Sequence, residues 1–114
     1  MNYTSDYYKI IDIVCEVYET SYREIVKPCR RREYIYPRYA CYYFLKKHTN
    51  LTFSNIGSLF GQNHTTVSHA CKPYDDLLFF DKEILKKHKE IEGRLIVRNI
   101  PYGIDALIDE YAKW

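Results

Sequence analysis

The sequence predicts an all-α fold, a small multi-helix bundle containing a helix-turn-helix at about residues 53–72 and carrying a helical C-terminal extension. Three observations predict it. Apolar residues recur at spacings of three and four along most of the 114 residues, the period of a helix with one buried face. Polar residues suited to capping stand ahead of those patterns. Leu95-Ile-Val-Arg98 is the single run with strand character, and it has no second strand to pair with. At 46% hydrophobic and 28% charged, the chain can bury a core, unlike a disordered segment. Its length suits one domain, too small for the large catalytic scaffolds.

The elements follow in order. Tyr7, Ile10, Ile11, Val14 and Tyr18 mark a helix behind Thr4, Ser5 and Asp6. Ser21, followed three residues later by Glu24, has the form of a capping box and opens a short helix with Tyr22, Ile25 and Val26, ending before Pro28. Lys27 to Tyr36 has a proline, three consecutive arginines and no helical stripe, so an exposed arm is expected. Pro37 suits the first turn of a helix to about His48, with Ala40, Cys41, Phe44, Leu45 and His48 on one face and Asn50 closing it. Thr52 caps residues 53–60, where Phe53, Ile56, Leu59 and Phe60 repeat the period, and Gly61 ends that helix. After a three-residue turn, Val67, Ala70 and Cys71 face inward while His64, Thr65, Ser68, His69 and Lys72 stay exposed, with Thr66 at the boundary. Two short helices joined by such a turn form a helix-turn-helix, whose second helix enters a major groove tip first. Pro73 breaks or redirects the chain. Asp81 caps a charged helix to about Glu92, with Ile84, Leu85, His88 and Ile91 inward. A Pro101-Tyr-Gly103 turn then precedes Ile104, Leu107, Ile108 and Tyr111 at helical spacing. The chain thus divides into a domain at 1–72 and a helical extension at 73–114, packed on it or used for a partner.

The net charge of +2 conceals a division. Residues 23–47 hold eight basic side chains against two acidic ones, and residues 73–114 hold seven basic against nine acidic. A cationic segment backed by an anionic one is the footprint of a protein that lays one face on phosphates. The longest apolar runs, Leu77 to Phe80 and Leu95 to Val97, fall far short of a membrane span, and no signal pattern opens the chain. A cytoplasmic protein with no membrane contact is expected. Cys15, Cys29, Cys41 and Cys71 contain no CxxC pair, which favours reduced thiols.

Ile56-Gly-Ser-Leu-Phe-Gly-Gln-Asn-His-Thr-Thr-Val-Ser-His-Ala70, with the arm Lys27 to Arg38 and the segment Lys46 to Asn50, resembles the DNA-binding C-terminal domain (domain IV) of the bacterial replication initiator DnaA, a helix-turn-helix of TrpR-like type. The resemblance covers roughly Ile13 to Cys71. It implies sequence-specific binding of double-stranded DNA at an A·T-containing box, in replication initiation control or transcription regulation. It also implies an arm arginine, Arg30, in a minor groove, with Arg32, Arg38, Lys46, Thr52, Ser54, His69 and Lys72 at phosphates. By residue type, His64, Thr65 and Thr66 can reach base edges, and Asn63 carries an amide able to pair with adenine. The chain departs from the family in three places. Gly61-Gln62-Asn63 is one residue shorter and lacks an arginine, Asn63 stands where the family has an acid, and Lys72-Pro73 replaces a basic pair.

Other chemistry finds little support. No GxxxxGK[ST] phosphate loop, nucleophile elbow or paired-acid motif occurs, so no enzyme and no cofactor are expected. His64 and His69 are five apart rather than four, and no cysteine or histidine pair has ligand spacing, so no metal is expected. The alternative reading is a protein-interaction module that keeps the scaffold but engages a protein partner, or a second copy through the C-terminal helices, with Tyr34, Tyr36, Tyr39, Tyr42 and Tyr43 as a tyrosine-rich surface.

Overall fold

The computed structural model describes residues 6–28 and 30–98. Among them seven α-helices follow one another with no strand: α1 (Asp6–Val17), α2 (Tyr22–Ile25), α3 (Arg32–His48), α4 (Phe53–Leu59), α5 (His64–His69), α6 (Cys71–Phe80) and α7 (Lys82–Val97). The expected Pro101–Gly103 turn and the last helix lie outside the described residues.

α3 is the central helix, touching α1, α2, α4 and α6. Its buried face, Pro37, Ala40, Cys41, Phe44, Leu45 and His48, meets Ile10, Ile11, Ile13, Val14 and Val17 of α1. Each such aliphatic side chain, taken from water, contributes about 1.5–3 kcal/mol. The core continues past residue 73: Tyr74 of α6 and Ile84, Ile91 and Leu95 of α7 belong to the same buried cluster. Arg94 and Arg98 of α7 clasp Glu16 of α1 at 3.0 and 3.4 Å.

Several boundaries differ from the sequence expectation, each for a physical reason. α3 begins at Arg32, not at Pro37, so of the expected arm only the residues from Lys27 to Arg31 stay outside a helix, Lys27, Pro28, Arg30 and Arg31 among the described ones. The carbonyl of Arg31 accepts from the N–H groups of Tyr34 and Ile35 at 3.0 and 2.9 Å, and Tyr34 extends the apolar stripe one turn upstream of Pro37. The capping box at Ser21 is half made. The serine accepts from Glu24 N–H at 3.2 Å, but the Glu24 carboxylate turns to Lys27 at 3.3 Å.

The helix after the turn ends at His69, and Lys72 lies in α6, a helix the sequence reading did not anticipate. Pro73 is the reason. A proline ring collides with the carbonyl four residues earlier, here that of His69, so the chain must break upstream. Pro73 then sits in the first turn of α6, where a missing N–H costs little. Asp81 caps α7 as expected, accepting from Glu83 and Ile84 N–H. α7 runs past Glu92 through the strand-like Leu95-Ile-Val, because Ile84, His88, Ile91 and Leu95 keep one buried stripe.

The five clustered tyrosines do not form an exposed surface. Tyr42 is buried and Tyr34, Tyr36, Tyr39 and Tyr43 pack against the core. Cys15, Cys41 and Cys71 are buried thiols. Burial, with Asp12 and Glu16 nearby, pushes the Cys15 thiol up to about 12, so it is inert as a nucleophile.

Among the described residues His88 is one of three buried polar residues, with His48 and Thr49. It is buried beside Tyr43 and Phe44, and the Tyr74 hydroxyl lies 2.8 Å from its Nδ1. Burial lowers its pKa from 6.5 to about 4. The unfolded chain therefore binds a proton that the folded chain refuses between those values. Stability is complete above pH 6.5 and falls as pH drops toward 4, by about 3 kcal/mol. The nearby Glu92 carboxyl, raised by burial against the opposing pull of Lys89, acts in the reverse sense. Urea midpoints at pH 7 and 4.5 should differ clearly for the native chain and much less for His88→Gln. Equal differences would remove His88 as the cause.

Candidate nucleic-acid interface

α4 and α5 are held in a fixed pair. Thr52 accepts from Asn55 N–H at 3.1 Å while the Asn55 carboxamide accepts from Thr52 N–H at 3.2 Å, a reciprocal cap that starts α4. Upstream, the Thr49 hydroxyl donates to Leu45 O at 2.5 Å and accepts from Leu51 N–H at 3.1 Å, tying the end of α3 to the approach of α4. Lys46 donates to Leu51 O at 3.4 Å and lies 5.1 Å above the Phe53 ring. Lys46, Thr52 and the exposed Ser54 thus gather at one end of α4.

The turn depends on two glycines. Gly61 has φ +67°, left-handed backbone that glycine adopts freely. Gly57 is buried in α4, and its carbonyl accepts from Gln62 N–H at 2.8 Å. A Cβ at Gly57 would stand 2.4 Å from the Gln62 carbonyl oxygen. Tyr22 of α2 donates its hydroxyl to Leu59 O, bracing the pair from behind.

At the start of α5, Asn63 is the cap: its carboxamide oxygen accepts from Thr66 N–H at 2.9 Å and from the Thr66 hydroxyl at 3.2 Å. Val67 is the anchor, fully buried. Against it, Asn63, His64, Thr65, Thr66 and His69 are exposed. His64 Nε2 lies 3.5 Å from the Thr65 hydroxyl.

The arm meets this helix. Pro28, Arg30, Ile35, Arg38, Tyr39, Tyr42, Gln62 and Thr66 line one concavity of about 460 Å³, so Arg30 and Arg38 come together with Thr66 in the first turn of α5, while Asn63, His64, Thr65 and His69 do not line it. A guanidinium of Arg38 reaches Lys27 O at 3.5 Å, holding the base of the arm against α3. The other expected residues are not drawn into this concavity. Arg32 is exposed in the first turn of α3, Lys72 pairs with Asp76 at 3.6 Å, and Lys46, Thr52 and Ser54 form their own group. Gln62, Ile35, Tyr39 and Tyr42 line the concavity too, although the sequence does not mark them as contacts for DNA. Gln62's position directly before the capping residue is the available signal; nothing in the spacing points to the other three. Among the described residues no group of three histidine, cysteine or acidic side chains is placed to hold a metal, and no helix is long and apolar enough to cross a membrane.

Comparison with known proteins agrees with this architecture. The family described as bacterial DnaA protein helix-turn-helix matches residues 7–73, more than half of the chain. The chromosomal replication initiator protein DnaA of Bacteroides fragilis is 34% identical over 95 residues, covering 82% of this chain and 20% of the relative. That of Thermomicrobium roseum is 32% identical over 87 residues, covering 75% and 19%, and that of Flavobacterium psychrophilum 31% over 84 residues, covering 73% and 18%. The chain therefore spans about a fifth of the length of these curated relatives. With a helix-turn-helix formed by α4 and α5 and a family match across them, this chain belongs to the bacterial DnaA helix-turn-helix family.

Proposed function

We propose that this chain binds double-stranded DNA in a sequence-specific manner, reading base edges with the tip of α5 in a major groove while Arg30 enters the neighbouring minor groove. The shared concavity of Arg30, Arg38 and Thr66 supports this reading, because residues of the arm and of the tip on one concave surface can meet a single duplex together. His64, Thr65 and Thr66 read bases beside Asn63. Arg32, Arg38, Lys46, Thr52, Ser54, His69 and Lys72 hold phosphates and set register without reading sequence. Arg30 favours a narrow A·T-containing box, where the minor groove concentrates negative potential. Binding alone is the chemistry, with no catalytic group and no cofactor. The relatives are named for chromosomal replication initiation, which supports a role in replication initiation control; a role in transcription regulation rests on DNA binding alone.

Fluorescence titration of labelled duplexes tests this. With about four phosphates engaged, affinity should fall roughly 100-fold between 50 and 200 mM salt, and His64→Ala or Thr65→Ala should cost about 1–3 kcal/mol on the preferred site with little loss elsewhere. Absent or salt-insensitive binding would overturn the reading in favour of the second one, contact with a protein or a second copy. A specific observation favours that alternative: Phe79 and Phe80 are 82% and 79% exposed, beside a groove lined by Ile35, Tyr36, Tyr39 and Leu77.

A further inference from the structure

The cap bonds of Asn63 decide which of its atoms a base can meet. Its carboxamide oxygen accepts from Thr66 N–H at 2.9 Å and from the Thr66 hydroxyl at 3.2 Å. A backbone N–H needs an acceptor, so the amide cannot be turned end for end, and the two bonds use both lone pairs of that oxygen. What remains for another molecule is the Nδ2 amine, which donates to no group among the described residues, on an exposed side chain. The two-bond pairing of asparagine with adenine requires oxygen and amine together, and here it would break the cap.

We propose that Asn63 is a specificity-determining residue that donates one hydrogen bond from Nδ2 and thereby selects guanine or thymine, and rejects cytosine, at the base it faces. In the major groove guanine presents O6 and N7 and thymine presents O4, all acceptors, whereas cytosine presents only its N4 amine. Two donors facing each other cannot bond, and closing the interface would strip both of water. The same logic ranks adenine between the two, since its N7 accepts but its N6 amine crowds the approach. This inference rests on the proposed entry of α5 into a major groove and names what that entry reads.

The substitution Asn63→Asp isolates the outward atom. Aspartate caps a helix as well as asparagine does, so Thr66 keeps its partner and the fold is retained, which thermal unfolding of both proteins verifies. The outward atom changes from donor to acceptor. Bound duplexes are selected from a randomised pool with each full-length chain and sequenced. The native chain should disfavour cytosine at one position by roughly tenfold relative to guanine or thymine, and the variant should invert that preference at the same position only. Identical base preferences in the two proteins would overturn the inference while leaving the docking of α5 intact. So would a weakening that is uniform over all sequences, which would put the amine on a phosphate. If neither protein enriches any sequence, the docking and the inference fall together.

Discussion

Replacing Gly57 with alanine is expected to destabilise the protein by about 2–3 kcal/mol or more, whereas the same change at Gly93 should stabilise it by about 0.5–1 kcal/mol. Both glycines lie inside helices, where alanine is ordinarily the better residue by roughly that second amount. Their surroundings differ. Gly93 faces open space within 4 Å. At Gly57 a new Cβ would meet the Gln62 carbonyl oxygen at 2.4 Å and the Asn63 carbonyl at 3.1 Å, and these are backbone atoms of the turn rather than flexible side-chain ends. Relief requires the turn to move, and with it the N–H of Gln62 that bonds Gly57 O and the cap of α5. Overpacking of a closed site costs about 1–3 kcal/mol, occasionally more. Chemical denaturation of the two variants provides the comparison. Should Gly57→Ala unfold at the native midpoint, the close approach of α4 and the turn would be refuted, and with it the fixed placement of residues 63–66.

Much of this arrangement is legible in the residues, and the illegible parts have identifiable causes. Thr52, Gly61 and Asp81 announce helix ends because capping and left-handed backbone are local chemistry, and all three act as expected. The apolar spacing of α1, α3 and α4 is likewise readable. The start of α3 was hidden because Arg30-Arg-Arg-Glu carries charge where a stripe would show, and because Pro37 invites a first-turn reading that Tyr34 overrides by packing. α6 was hidden because Pro73 exerts its effect on a carbonyl four residues away, so the break is at Ala70 rather than at the proline itself. In the interface, the exposure of His64 and Thr65 follows from periodicity alone, whereas Thr66, which periodicity puts at the boundary of the faces, is exposed as well. The nearness of Arg30 to Thr66 does not follow from it, since 36 positions of sequence separate them and only the packing of α3 beside the helix pair brings them together. The engagement of the Asn63 oxygen was also out of reach, because residue type shows what an amide can do and only geometry shows which half is spent.

The second large effect belongs to Arg30. If arm and tip hold one duplex from adjacent grooves, Arg30→Ala should weaken binding to the preferred duplex roughly tenfold while leaving α5 in place, because the arginine stands on the arm ahead of α3 and contributes nothing to the buried core. The loss should be greatest where the adjacent segment is A·T-rich, since a narrow minor groove is where a guanidinium gains most. The most direct measurement is dimethyl sulfate protection of the bound duplex, which reports guanine N7 in the major groove and adenine N3 in the minor groove in one experiment. The account predicts guanine N7 protection flanked, within about half a helical turn, by adenine N3 protection, with only the adenine signal lost in Arg30→Ala. Protection confined to one groove, or an adenine signal indifferent to Arg30, would contradict it.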